Sequence, residues 1–173
     1  MAGILRRRGM DPSVMDSQEP EPAPQPVTSL ALADARIPPR YRQALADHPE
    51  VAAWVDEIVR AGRPGPSGAR GIAEGPSLLI AGPTGTGKTH QAYGAVRSLL
   101  AAGVRLRWET VTAADLRLIN YRYEYLRPTL LTTNLPILKL RTALGDRVAS
   151  RLSEMTHRVI LNGPDRRRTS PAA

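Results

Sequence analysis

Apolar residues recur along this chain at two spacings, and the changes from one to the other predict its elements. A short helix is expected from the Ile37-Pro38-Pro39-Arg40-Tyr41 start to about Asp47. Val51, Trp54, Val55, Ile58 and Val59 then share one side of a helical period; Asp47 and Glu50 have capping-box spacing, Pro49 suits a first turn, and Gly62 stops the helix. The Gly- and Pro-rich stretch from Arg63 to Gly75 reads as a flexible loop. Ser77-Leu78-Leu79-Ile80-Ala81 is a continuous apolar run of strand length, and the helix that follows carries Ala92, Ala95, Val96, Leu99 and Leu100. Val104 to Val111 alternates as a strand does, Thr112 with Asp115 has capping-box spacing, and Leu116, Ile119, Tyr123 and Leu126 predict a helix to Arg127, limited by Pro128. Thr129 to Thr133 is a second buried strand, a helical segment follows from about Leu138 to Met155, and His157 to Leu161 is a last strand. This alternating order predicts an α/β fold with a mainly parallel sheet.

Composition changes the picture at the two ends. Residues 1–36 carry Pro12, Pro20, Pro22, Pro24 and Pro26 with almost no apolar period, and so read as a disordered arm outside a domain of residues 37–165. Met10 and Met15 within it leave the translation start open, and residues 166–173 read as a loose basic tail. Absence of cysteine excludes disulfides, thiolate metal sites and a cysteine nucleophile. No apolar run reaches the roughly 18 residues of a membrane span, so no membrane association and a cytoplasmic location are expected. The net charge is +8, and from Ala101 onward 13 basic residues stand against 6 acidic ones. Such an excess fits a polyanionic partner; a solvated surface explains it equally.

The chemistry lies between the first apolar strand and its helix. Gly82, Pro83, Thr84, Gly85, Thr86, Gly87, Lys88 and Thr89 fill every fixed position of G-x-x-x-x-G-K-[ST], the Walker A phosphate loop. Glycines let successive backbone N–H groups turn inward toward phosphate oxygens, and the helix N-terminus adds its partial positive charge. Lys88 is expected to reach the β- and γ-phosphates, Thr89 to ligate Mg²⁺, and His90 to complete the binding segment. The cofactors implied are ATP and Mg²⁺. A base-recognition Asn-Lys-x-Asp element is absent, which argues against a G protein.

Further blocks occur in a telling order. Ile37 to Tyr41, the phosphate loop, Leu131-Thr132-Thr133-Asn134-Leu135-Pro136, and Asp146-Arg147-Val148-Ala149-Ser150-Arg151-Leu152 together resemble AAA+ ATPases of the DnaC helicase-loader and IstB transposition-helper type. The resemblance covers Ile37 to about Asp165 and implies a P-loop NTPase (AAA+-like) three-layer sandwich. It implies that Asn134 is a sensor orienting water at the γ-phosphate; an Asn closing a strand before a Leu-Pro turn is the plainer reading. It implies that Arg151, or else Arg147, is an arginine finger offered to a neighbouring subunit, hence a homo-oligomer. The two arginines also fit a solvated helix face. Ile37 to Tyr41 would pack near the adenine.

One part of that pattern is missing. The family carries a Walker B strand ending in two acidic residues before the sensor strand, and here one helix leads directly from Trp108-Glu109-Thr110-Val111 to the sensor strand. Glu109 and Asp115 are the acidic residues nearby, and neither ends a buried apolar run. A reduced sheet of about four strands is therefore expected, with Val104 to Val111 moved over to pair with the sensor strand, and with hydrolysis impaired. The implied function is that of an ATP-dependent loader or remodeller acting on DNA with a replicative helicase or transposase. A non-hydrolysing ATP-binding adaptor and a decayed remnant of such an ATPase remain open. Candidate DNA contacts are Arg105, Arg107, Arg117, Arg122, Arg127 and Arg166-Arg167-Arg168, with Tyr121, Tyr123 and Tyr125 available for stacking.

Overall fold

The computed structural model describes residues 36–66, 68–106 and 116–166. The proline-rich arm to residue 35, most of the strand expected at Val104 to Val111, the Thr112 and Asp115 cap and the tail beyond Arg166 lie outside the described residues.

The first element among the described residues is a single 3-10 turn, Pro39–Tyr41, where the sequence predicts a longer helix to Asp47. Helix α1 spans Pro49–Ala61 and buries Val51, Trp54, Val55 and Ile58, the stripe read from the sequence. Its N-cap is His48 with no side-chain cap, so the Asp47–Glu50 capping box does not form. Asp47 instead accepts a hydrogen bond from Gln91 Nε2. The expected flexible loop contains an antiparallel hairpin, β1 (Arg63–Pro64) with β2 (Arg70–Gly71). Arg70 then makes a parallel bridge to Val104. Its N–H donates to Gly103 O at 2.8 Å, and its carbonyl accepts Arg105 N–H at 2.9 Å. Val104, the first residue of the expected second strand, therefore pairs with the hairpin and not with the sensor strand.

Strand β3 (Ser77–Ala81) is buried along its whole length, as a central strand covered on both faces must be. It pairs in parallel with β4 (Leu130–Thr133) on one side and β5 (Thr156–Ile160) on the other. The sheet among the described residues is thus β4-β3-β5, three strands against about four expected. Helix α2 (Lys88–Ala101) leaves the phosphate loop and packs with α1 over the sheet. Leu78 and Ile80 join Val51, Trp54, Ile58, Ala95 and Leu99 in one core cluster. Leu79, on the other pleat, is also buried.

Helix α3 is shorter than expected, Leu116–Glu124. Arg122 ends it by reaching forward to Pro128 O at 2.8 Å and Thr129 Oγ1 at 2.5 Å, which turns the chain before the proline. Leu126, expected on the helix's apolar side, sits exposed with φ +48°. The single helix expected from Leu138 to Met155 is two, α4 (Ile137–Leu144) and α5 (Asp146–Met155), broken at Gly145 with φ +82°. Helix α5 buries Val148 and Leu152 and packs against α3 and α4. No helix among the described residues is long and apolar enough to cross a membrane.

Candidate functional site

The centre of the sheet and the register of its strands set the site. Ala81 pairs with Thr133 and with Ile160, so the next residues, Gly82, Asn134 and Leu161, emerge together at the carboxyl edge, where α/β sheets bind ligands. Gly82 lies so close to Leu161 that a side-chain carbon there would meet Leu161 O at 2.3 Å. Gly85 and Gly87 have φ of +86° and +94°, the left-handed region in which only glycine is unstrained, so the sequence at these points dictates the wrap of the loop. Thr86 is buried and donates its hydroxyl to Pro83 O at 2.9 Å. Lys88 Nζ donates to the same carbonyl at 2.6 Å, folding its ammonium back over the loop.

A cleft of about 410 Å³ opens beside this loop. Thr84, Gly85, Gly87, Lys88, Thr89 and His90 line it from the loop, Arg40 and Tyr41 from the N-terminal segment, and Asn134 from the end of β4. Gly82, Pro83 and Thr86 shape the loop from behind and do not line the cleft. Three of the sequence-derived blocks therefore meet at one place.

Arg166 is the residue that sequence reasoning missed. Read as part of a basic tail, it lines the cleft, and its N–H donates to Gly85 O at 3.0 Å. Asp165 packs its carboxylate against Gly85, where a side chain on residue 85 would collide with it. An Arg following the last strand was the available signal, but three arginines in a row read more simply as a charge run. Arg40, Lys88 and Arg166 make the cleft cationic. The hydrogen bond from Gln91 holds Asp47 below the usual carboxylate range, opposed by partial burial and helped by the Arg166 charge.

Neither arginine of α5 lies in this cleft. Arg151 has a side chain 16% exposed, donates to Asn120 Oδ1, pairs with Glu124 at 3.5 Å and stacks over the Tyr123 ring at 5.0 Å. It holds α3 against α5 rather than projecting outward. Arg147 is exposed. Tyr123 donates its hydroxyl to Glu154 at 2.7 Å, and that carboxylate pushes the phenol's pKa up.

Of the candidate DNA contacts, Arg122 is tied to Pro128 and Thr129, and Arg127 Nη1 donates to Ala73 O at 2.9 Å. Arg105 and Arg117 are exposed, as are Tyr121 and Tyr125, whose rings lie 4.6 Å apart at 50% and 56% exposure. Arg107, Arg167, Arg168, Glu109 and Asp115 lie outside the described residues.

No family model matches the chain, and no curated protein matches it. Among solved structures, DnaI aligns over 75% of this chain and 94% of its own at 15% identity, with a TM-score of 0.52. The DnaC helicase loader aligns over 72% of this chain and 100% of its own at 21% identity, with a TM-score of 0.49. A phosphate loop at the head of the central strand of a parallel sheet gives this chain a P-loop α/β fold, and DnaI shares that fold.

Proposed function

We propose that this protein binds ATP with Mg²⁺ in the cleft at β3 and α2, as a helicase-loader-like protein that turns the nucleotide over slowly. The observation that carries the reading is the phosphate loop itself: glycine-specific backbone at Gly85 and Gly87, a helix N-terminus, and Lys88, Arg40 and Arg166 on one 410 Å³ cleft. A helix N-terminus with Lys88 and Arg166 beside the loop suits the phosphates of a triphosphate, and Arg40 with Tyr41 walls the rest of the cleft. Thr89 offers the hydroxyl for Mg²⁺; no group of three or more His, Cys, Asp or Glu that could hold a metal occurs among the described residues, so the ion would arrive on the phosphates. Once bound, it neutralises phosphate charge. Lys88 would swing from Pro83 O to the β- and γ-phosphates, and Asn134 would hold a water at the far side.

The sequence holds no apolar run that ends in an acidic pair, which supports slow hydrolysis, since such a carboxylate polarises the attacking water. The order of the sequence motifs and the fold shared with DnaI support the loader-like role. Contact with DNA through the basic surface, with a replicative helicase or transposase, and with further copies of this chain belongs to the same proposal. The test is anisotropy of a fluorescent ATP analogue with Mg²⁺. Lys88→Ala is expected to weaken binding at least about tenfold, the loss of one charged contact. Phosphate release at saturating ATP is expected at least about a hundredfold below the roughly 10 s⁻¹ of a median enzyme. A folded wild type that binds no analogue overturns the reading; fast turnover overturns its second half.

A further inference from the structure

Gln91 is an amide side chain buried to 2% exposure in the first turn of α2, one turn below the phosphate loop. Both of its polar atoms are committed, and neither to the helix or the sheet. Its Oε1 accepts His48 N–H at 3.1 Å, and its Nε2 donates to the Asp47 carboxylate. The segment it grips is the one that begins with Arg40 and Tyr41 in the cleft.

The neighbouring residues of α2 hold the same segment. His90 Nε2 accepts Leu45 N–H at 3.4 Å, and Arg97 Nη1 donates to Ala44 O at 3.1 Å. The Tyr93 ring stacks on Tyr41 with centroids 4.8 Å apart and planes 16° from parallel. At Gly94 the backbone of Leu45 and Ala46 comes so close that a Cβ would lie 2.2 Å from Leu45 C. The first turn of α2 is continuous with Lys88 and Thr89, so whatever fixes the phosphate loop also fixes the anchor of the cleft's outer wall.

We propose that Gln91 is a positioning residue that ties the Arg40–Tyr41 wall to the phosphate loop, so that recognition of the nucleoside part of the ligand depends on an amide that does not itself line the cleft. This rests on the nucleotide-binding reading above. Loss of the tie should loosen the wall and leave the loop's hold on phosphates intact.

The experiment is displacement of a fluorescent ATP analogue by ATP and, separately, by inorganic tripolyphosphate, each with Mg²⁺, on the full chain. In Gln91→Leu, which keeps the volume and removes both bonds, ATP is expected to weaken about tenfold, one hydrogen bond to a charged group, while tripolyphosphate stays within about twofold. Asp47→Ala removes the same bond from the exposed side without opening the core, and should split the two ligands in the same direction. The double variant Gln91→Glu with Asp47→Asn reverses the polarity of the pair, since the amide introduced at position 47 can donate where the carboxylate accepted; it should restore ATP affinity. Equal weakening of both ligands would make Gln91 merely structural and overturn the proposal, as would no change in either. Failure of the wild type to bind either ligand would instead remove the nucleotide-binding reading, and this inference with it.

Discussion

At the scale of single residues, the most informative groups are those whose surroundings contradict their type. Asp47 looks like a helix cap in the sequence, yet its carboxylate receives Gln91 and its pKa falls below the ordinary value of 3.8. A pKa lowered by folding stabilises the folded state above the unfolded value, and that contribution is lost as pH drops through the folded one. Asp47→Asn should therefore lower the melting temperature at pH 7, with the difference from wild type shrinking below about pH 4, as a thermal-melt series against pH would show. Leu126 makes the opposite case: a branched apolar side chain, 61% exposed, at φ +48°. The left-handed region costs a non-glycine residue about 1 kcal/mol, and Asn tolerates it. Leu126→Asn is expected to raise the melting temperature by roughly 3 °C, because so exposed a side chain has little burial to lose.

At the scale of elements, tertiary contacts decide where periodic stretches begin and end. The stripe of α1 predicted its buried face because burial of a helix follows spacing alone. The C-terminal end of α3 did not follow spacing, since the guanidinium of Arg122 draws the chain into a turn ahead of Pro128. Helix α5 shows a related effect. Its Val148 and Leu152 stripe was legible, whereas the opposite residue, Arg151, is a bracket to Asn120, Glu124 and Tyr123 of α3. Arg151→Ala is expected to cost about 2 kcal/mol, the loss of a partly buried charged hydrogen bond, measured as urea unfolding of the protein at low concentration. An arginine acting only across a subunit boundary would leave that unfolding curve unmoved.

At the scale of the whole molecule, charge and sheet order set what the protein can do. If the proposed DNA contact runs through the excess of basic residues after Ala101, a log–log plot of the binding constant against salt concentration should slope downward, by about 0.9 per phosphate neutralised on a duplex. A flat plot would leave the charge as a solvated surface. The sequence by itself determined the phosphate loop, the α/β order and a mainly parallel sheet. These follow from neighbours along the chain: glycines at successive loop positions, apolar runs of strand length, helical stripes between them. Only the tertiary structure decided that Val104 bridges to Arg70, that Arg166 joins the cleft, and that Gln91 reaches Asp47 across 44 residues. Such contacts join segments with no shared periodicity, and a polar side chain commits to a partner only when packing has brought that partner within hydrogen-bonding distance.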